Sequence, residues 1–241
     1  MIQQLEPDCL LPPEMTVLGV ILAGGQSQRM GTPKALVPLS PVMTMLDRAI
    51  SVMSQALQAK NANQIVLSLP HDAFLSDAFS GTFKAAQEDY PPEDFPGLSW
   101  LPDDADTYNG PMQGIAIVAQ RFPNRPLLVM CVDQIAIKPS LLKMLLPENQ
   151  DQATDIAAFL CDGLAPFPVY LSSQASEAVA QAFEDGERSL SHWLSEQQSA
   201  DLLPVQAIPL SVQEMFALAS ANTLQELAGI QNTAIQEPKN K

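Results

Sequence analysis

Ile21-Leu22-Ala23-Gly24-Gly25-Gln26-Ser27-Gln28-Arg29-Met30-Gly31-Thr32-Pro33-Lys34-Ala35-Leu36 governs how the rest of the chain is read. An apolar run, Val17 to Leu22, leads into it, and an amphipathic stretch, Met43 to Lys60, follows. Strand, glycine-rich loop and helix in that order form the phosphate-holding unit of many α/β proteins. Adjacent glycines let the backbone come close to a phosphate and aim bare N–H groups at it. Arg29 and Lys34 add charged partners for a triphosphate. Two common templates fail. A GxxxxGK[ST] loop needs Lys after its second glycine, but Thr32 follows Gly31 and five residues separate Gly25 from Gly31. A GxGxxG fingerprint fails because Gln26 stands two positions after Gly24.

Outward from the loop, strands and helices alternate. Thr44 to Ala59 has helical spacing through Met45, Leu46, Ala49, Ile50, Met53 and Leu57. Ile65 to Leu69 and Leu98 to Leu101 read as short strands, with an irregular stretch over 71–97 between them. Pro111 to Arg121 and Pro139 to Leu146 read as helices opened by proline. Leu127 to Val132 suits a central strand, and Ile156 to Leu160 with Phe167 to Leu171 a strand pair. Ser173 to Phe183 and Ser189 to Gln197 are helical. Leu202 to Leu210 is an edge strand, demoted by Pro204 and Pro209. A last short helix begins at Thr223. This alternation predicts an α/β sheet with ligand loops at the carboxyl ends of its strands. The expected organisation is an irregular extension over 1–15, one domain over 16–230 and a frayed tail over 231–241.

The 241 residues are 46% hydrophobic and carry a net charge of −15, with 27 acids against 12 bases. That balance argues against nucleic acid and anionic membrane surfaces as partners. A site for a triphosphate in so acidic a chain needs a divalent cation and a few placed bases. Cys9, Cys131 and Cys161 form no CxxC pair, which reads as a reduced, cytoplasmic chain. Cys131 lies in an apolar run and reads as a core residue rather than a nucleophile. His71 and His192 are far apart, so a histidine-rich metal site is not expected. No basic leader and no membrane-length apolar run stands out.

Three further segments carry chemistry. Leu127-Leu128-Val129-Met130-Cys131-Val132-Asp133 puts a carboxylate at a strand end, where an α/β sheet binds ligands. Mg²⁺ takes hard oxygen ligands of this kind; the alternative is a turn or capping Asp before the helix at Pro139. Pro102-Asp103-Asp104-Ala105-Asp106 runs on to Gly110-Pro111-Met112-Gln113-Gly114. Gly110 and Gly114 flank a helix start that favours an anion; the alternative is a solvated acidic loop, the reading given to Asp104 and Asp106. Asp185-Gly186-Glu187-Arg188 precedes Ser189 and His192. Arg188 there is either an acceptor-phosphate ligand or half of a Glu–Arg pair at a helix start.

The signature LAGGxSxRMGxxK resembles nucleotidyltransferases of the molybdenum cofactor guanylyltransferase type and their cytidylyl- and sugar-nucleotide-forming relatives. Asp103 to Gly114 is similar to the family's acid-spacer-GPLxG segment, Asp133 to its strand-end metal aspartate, and Glu187-Arg188 to its GER segment. Ala165 to Tyr170 is similar to the strand that opens the acceptor pocket. Ser220 to Leu227 is similar to the family's closing segment, and Asn222 is expected to cap the last helix. The resemblance implies a Rossmann-like three-layer nucleotidyltransferase fold with a mostly parallel mixed sheet. It implies that GMP passes from GTP to molybdopterin with Mg²⁺ and release of pyrophosphate. Leu22, Ala23, Gly24, Gly25, Lys34, Asp103 and Asp133 would bind nucleotide, Asp133 the metal and Arg188 the acceptor, with Arg29, Lys34 and Asp133 catalytic. A protein that delivers or receives the cofactor would be a partner.

The chain departs from the pattern in two places. Pro33 stands where relatives usually have Asp, and Ser68-Leu69-Pro70 where they carry a base-contacting Asn. The double glycine leans toward guanine, since cytosine-using relatives more often read LAAG. A cytidylyl- or sugar-phosphate nucleotidyltransferase, using CTP in the first case, and a non-catalytic nucleotide-binding relative are the alternatives.

Overall fold

The computed structural model describes residues 17–24, 33–57, 65–70, 98–103, 110–150, 154–221 and 223–235. Its spine is a seven-stranded sheet. The strands are β1 (Leu18–Leu22), β4 (Ile65–Pro70), β5 (Leu98–Asp103), β6 (Leu127–Cys131), β7 (Ile156–Cys161), β8 (Gly163–Leu171) and β9 (Val205–Pro209). A small hairpin, β2 (Pro38–Ser40) with β3 (Met43–Thr44), stands apart from it. Across the sheet the order is β5-β4-β1-β6-β8-β7-β9. β8 alone runs against its neighbours.

The central strands are apolar on both faces because helices cover both faces. Leu18, Val20, Leu22, Leu127 and Val129 point into one buried layer. That layer is closed by α2 (Pro111–Arg121), α4 (Ser173–Glu184) and α5 (Leu190–Ala200). Ile21, Leu128 and Met130 point into the other, covered by α1 (Met45–Leu57), α3 (Pro139–Met144), α6 (Val212–Ala217) and α7 (Leu224–Ile235). The result is the three-layer, mostly parallel α/β fold that the sequence predicts. β9 sits at the sheet edge, where Pro209 and the flanking Pro204 are tolerated.

Two glycines set the spacing of the layers. A Cβ on Gly19 would stand 2.8 Å from Met53 Cγ, so its absence lets α1 lie close on β1. A Cβ on Gly114 would meet Ser68 Oγ at 2.5 Å and Leu22 Cδ2 at 2.9 Å. Gly114 thus brings α2 down onto β1 and β4, a packing role the sequence did not reveal.

The topology fixes where a ligand sits. From β1 the chain moves to β4 and β5 on one side, then crosses to β6 on the other. The strand order therefore reverses between β1 and β6, and the carboxyl ends of these strands form the crevice where open α/β sheets bind ligands.

Four differences from the sequence expectation concern short elements and element ends. The β2–β3 hairpin and α6 were not expected. β5 runs through Asp103, where an acidic turn was expected. α7 continues to Ile235, past the frayed end expected after Ile230. The expected N-terminal extension, 1–15, the irregular stretch over 71–97 and the helix-capping Asn222 lie outside the described residues. Among those residues no helix is long and apolar enough to cross a membrane.

Candidate active site

β1 and β6 end side by side, with Leu22 paired to Cys131. Beyond the last pairs β1 stays tied to both of its neighbours, β6 and β4. Val132 N donates to Leu22 O at 3.0 Å, and Ala23 N donates to Ser68 O at 2.9 Å. Leu22, Ala23 and Gly24 thus leave the sheet at the switch point, with Asp133 two residues beyond the end of β6 and next to Val132, which is bonded to Leu22. Asp133 is buried. It does not cap the following helix, whose N-cap is Lys138.

Lys34 reaches Asp133 from the other end of the signature. Pro33, with φ −51°, starts a 3₁₀ turn over Lys34–Leu36. Leu36 N donates to Pro33 O at 2.9 Å, Val37 N donates to Lys34 O at 3.1 Å, and Ala35 and Val37 are buried beneath the turn. This pinned turn projects Lys34 Nζ to 2.6 Å from Asp133 Oδ2. The side chains are 23% and 12% exposed, so water screens the pair weakly. Pro33 sets the turn that aims Lys34.

Asp133 Oδ1 is buried without a hydrogen-bond partner among the described residues. A carboxylate with one oxygen on an ammonium and the other on nothing is costly in a folded protein. It is also a donor of the hard, anionic kind that Mg²⁺ or Mn²⁺ takes. The residues at this site therefore fit a divalent cation held by Asp133.

Gln134, which carries no local signal in the sequence, fixes this turn. It is buried. Its Oε1 accepts from Cys131 N at 3.2 Å, and its Nε2 donates to Phe167 O at 2.9 Å and Leu218 O at 3.3 Å. Ala221 N donates to Asp133 O at 3.0 Å. On the far side of the loop, Arg48 Nη2 donates to Ile137 O at 2.9 Å. Burial pushes the Cys131 thiol well above its ordinary range, and Asp133 adds to that, with Lys34 acting the other way. Cys131 is half-buried against the layer under α2, and the shift favours its protonated thiol.

The remaining candidates divide. Arg29 and Gly25 lie outside the described residues. Asp103 ends β5, its backbone paired with Pro70. Gly110 takes φ 83°, open chiefly to glycine, to start α2 with Pro111 at its first position. Arg188 is engaged locally. Its Nη1 donates to Phe183 O at 2.6 Å and Glu187 O at 2.8 Å, and its guanidinium lies 4.2 Å from the Phe183 ring centre. It therefore closes the C-terminal end of α4, beside the start of α2, where its carbonyl is 3.7 Å from the Cβ position of Gly110. Glu187 accepts from Arg188 N and Ser189 N at 2.7 Å each and pairs with His192 Nδ1 at 2.6 Å.

Comparison with known proteins identifies the family and the fold. Residues 19–201 match the family described as the MobA-like NTP transferase domain. A probable molybdenum cofactor guanylyltransferase from Rhodopirellula baltica is 34% identical over 114 residues. That alignment spans 47% of this chain and 44% of the relative, less than half the length of either. Among solved structures, molybdopterin-guanine dinucleotide biosynthesis protein A from Archaeoglobus fulgidus superposes with a TM-score of 0.62 at 17% identity. It covers 92% of this chain and 100% of its own. A 2-C-methyl-D-erythritol 4-phosphate cytidylyltransferase from Thermus thermophilus superposes with a TM-score of 0.60 at 18% identity, with the same coverage. At these identities the two structures establish the fold.

Proposed function

The chain belongs to the MobA-like NTP transferase family and is a nucleotidyltransferase of that type; from that premise we propose that it transfers GMP from GTP to molybdopterin. The observation that carries this reading is the Lys34–Asp133 pair at the β1/β6 switch point. It sets a cation and a metal-type carboxylate next to the backbone that leaves β1. The name of the Rhodopirellula relative favours guanine and the molybdopterin acceptor.

In this mechanism a terminal phosphate oxygen of the acceptor attacks the α-phosphorus of GTP, and pyrophosphate leaves in line. Leu22, Ala23, Gly24 and Gly25 wrap the nucleotide through main-chain groups. Asp133 holds Mg²⁺, with Asp103 assisting at the nucleotide or its metal. The bound ion supplies Lewis-acid polarisation of phosphate oxygens. Lys34, already fixed by its 3₁₀ turn, and Arg29 neutralise charge that develops on the α-phosphate and leaving group. Because Lys34 is positioned in advance, little reorganisation is needed as that charge appears. Arg188 meets the acceptor phosphate by exchanging its carbonyl partners at the end of α4. No protein nucleophile is required.

The test is pyrophosphate release with molybdopterin and Mg²⁺, comparing GTP with CTP. Turnover with GTP supports the proposal. A preference for CTP selects the cytidylyltransferase reading. Nucleotide binding without pyrophosphate release from either selects a non-catalytic relative.

A further inference from the structure

We propose that Gln134 is a positioning residue that sets the affinity of Asp133 for a divalent cation by clamping the Asp133 turn to the acceptor half of the sheet and to the C-terminal segment. The inference rests on the reading of Asp133 as metal ligand. It adds a residue to that site which touches neither metal nor nucleotide.

The geometry is specific. Cys131 N can only donate, and the Phe167 and Leu218 carbonyls can only accept. These partners fix the orientation of the Gln134 amide: its oxygen faces Cys131, and both amide hydrogens are used on the two carbonyls. Three segments far apart in sequence meet on one side chain: the end of β6, the middle of β8 and the stretch after α6. Three residues beyond Leu218, Ala221 N donates to Asp133 O. The main chain on both sides of the Asp133 carboxylate is therefore held by the same C-terminal stretch. Among the described residues, the Asp133 carboxylate pairs with Lys34 through Oδ2, and its Oδ1 has no hydrogen-bond partner. Its orientation thus depends on the backbone, and the backbone depends on Gln134. Partners that orient a metal ligand commonly change metal affinity about 10–100-fold when removed.

Gln134→Met keeps the length and much of the volume but removes all three hydrogen bonds. Gln134→Asn keeps the amide but is one methylene short of spanning the three partners, and it leaves less polarity unsatisfied. Mn²⁺ affinity, measured by electron paramagnetic resonance of the free ion, reads the effect without turnover. Wild type, Asp133→Asn and both Gln134 variants are compared. Val179→Ala, a buried change on α4 away from the site, controls for lost stability. The expected result is loss of Mn²⁺ binding in Asp133→Asn, a fall of about 10–100-fold in Gln134→Met and a smaller fall in Gln134→Asn. Val179→Ala is expected to match wild type. If the folded Gln134 variants bind Mn²⁺ as tightly as wild type while Asp133→Asn does not, the positioning role is wrong and the metal assignment stands. If Asp133→Asn also binds like wild type, both are wrong.

Discussion

Lys34 Nζ and Asp133 Oδ2, 99 residues apart in sequence, lie 2.6 Å from each other at the point where the strand order of the sheet reverses. Each comes from a segment with its own reason to be there. Lys34 is aimed by a turn that Pro33 starts and Ala35 anchors. Asp133 is carried to the sheet mouth by β6 and fixed by Gln134. An ion pair this poorly hydrated stabilises a fold little more than apolar packing would, and breaking one side of it is costly. Its placement at the ligand crevice of a nucleotidyltransferase gives it a use that stability alone does not.

Lys34→Met removes the ammonium while keeping most of the stem. Steady-state kinetics are expected to show a fall of about 10²–10³-fold in kcat, the size of losing one preorganised donor to a developing charge. Denaturation by urea is expected to show a loss of about 1–3 kcal/mol, because the Asp133 carboxylate stays buried without its partner. Turnover within a few-fold of wild type would remove Lys34 from the mechanism.

Gly114→Ala sets two effects against each other. Alanine favours the helix by about 1 kcal/mol. Its Cβ, however, would lie 2.5 Å from Ser68 Oγ and 2.9 Å from Leu22 Cδ2, and Ser68 is itself buried. Overpacking of this kind costs about 1–3 kcal/mol. The expected outcome of urea unfolding is net destabilisation, partly relieved by adding Ser68→Ala. A Gly114→Ala protein more stable than wild type would show that α2 moves off the sheet without cost.

At the start of α5, backbone N–H groups of Ser189 and Arg188 flank the Glu187 carboxylate. The hydrogen bond from Ser189 is the largest cause, with His192 next, that brings its pKa down to about 2. The bond to Glu187 raises His192 above 6.5, with Glu196 adding to it. A lowered acid stabilises the fold above its unfolded value near 4.5, and that contribution fades as pH falls toward about 2. A raised histidine stabilises below 6.5, and its contribution is lost as pH rises through its folded pKa. Both act in full between those two unfolded values. Proton NMR titration is expected to place His192 above 6.5 in wild type and lower in Glu187→Gln. An unchanged His192 titration in that variant would contradict the pairing.

The parts of this molecule legible in its sequence are those whose signal is local. β1 and β6 show as unbroken apolar runs because helices bury both of their faces, and Asp133 shows as a charge ending such a run. Lys34 is visible as a cation in a glycine-rich loop, but nothing near it in sequence names its partner. Gln134 is invisible for the same reason: two of its partners are main-chain carbonyls at 167 and 218 that only the folded sheet brings near. Gly114 reads as part of an anion-favouring helix start, whereas the space it leaves is filled by Ser68 and Leu22. The β2–β3 hairpin and the six-residue α6 are too short to show a period. Arg188 shows as a charge in a family-like segment, and its hold on Phe183 O depends on how α4 ends.

The central claim is that Asp133 holds the metal of a nucleotide complex beside Lys34. Calorimetric titration of wild type and Asp133→Asn with GTP, with and without Mg²⁺, tests it most directly. GTP binding to wild type that depends on Mg²⁺ and is lost in Asp133→Asn is the predicted result. Equal Mg²⁺-dependent affinity in the two proteins would contradict it and move the metal site away from the end of β6.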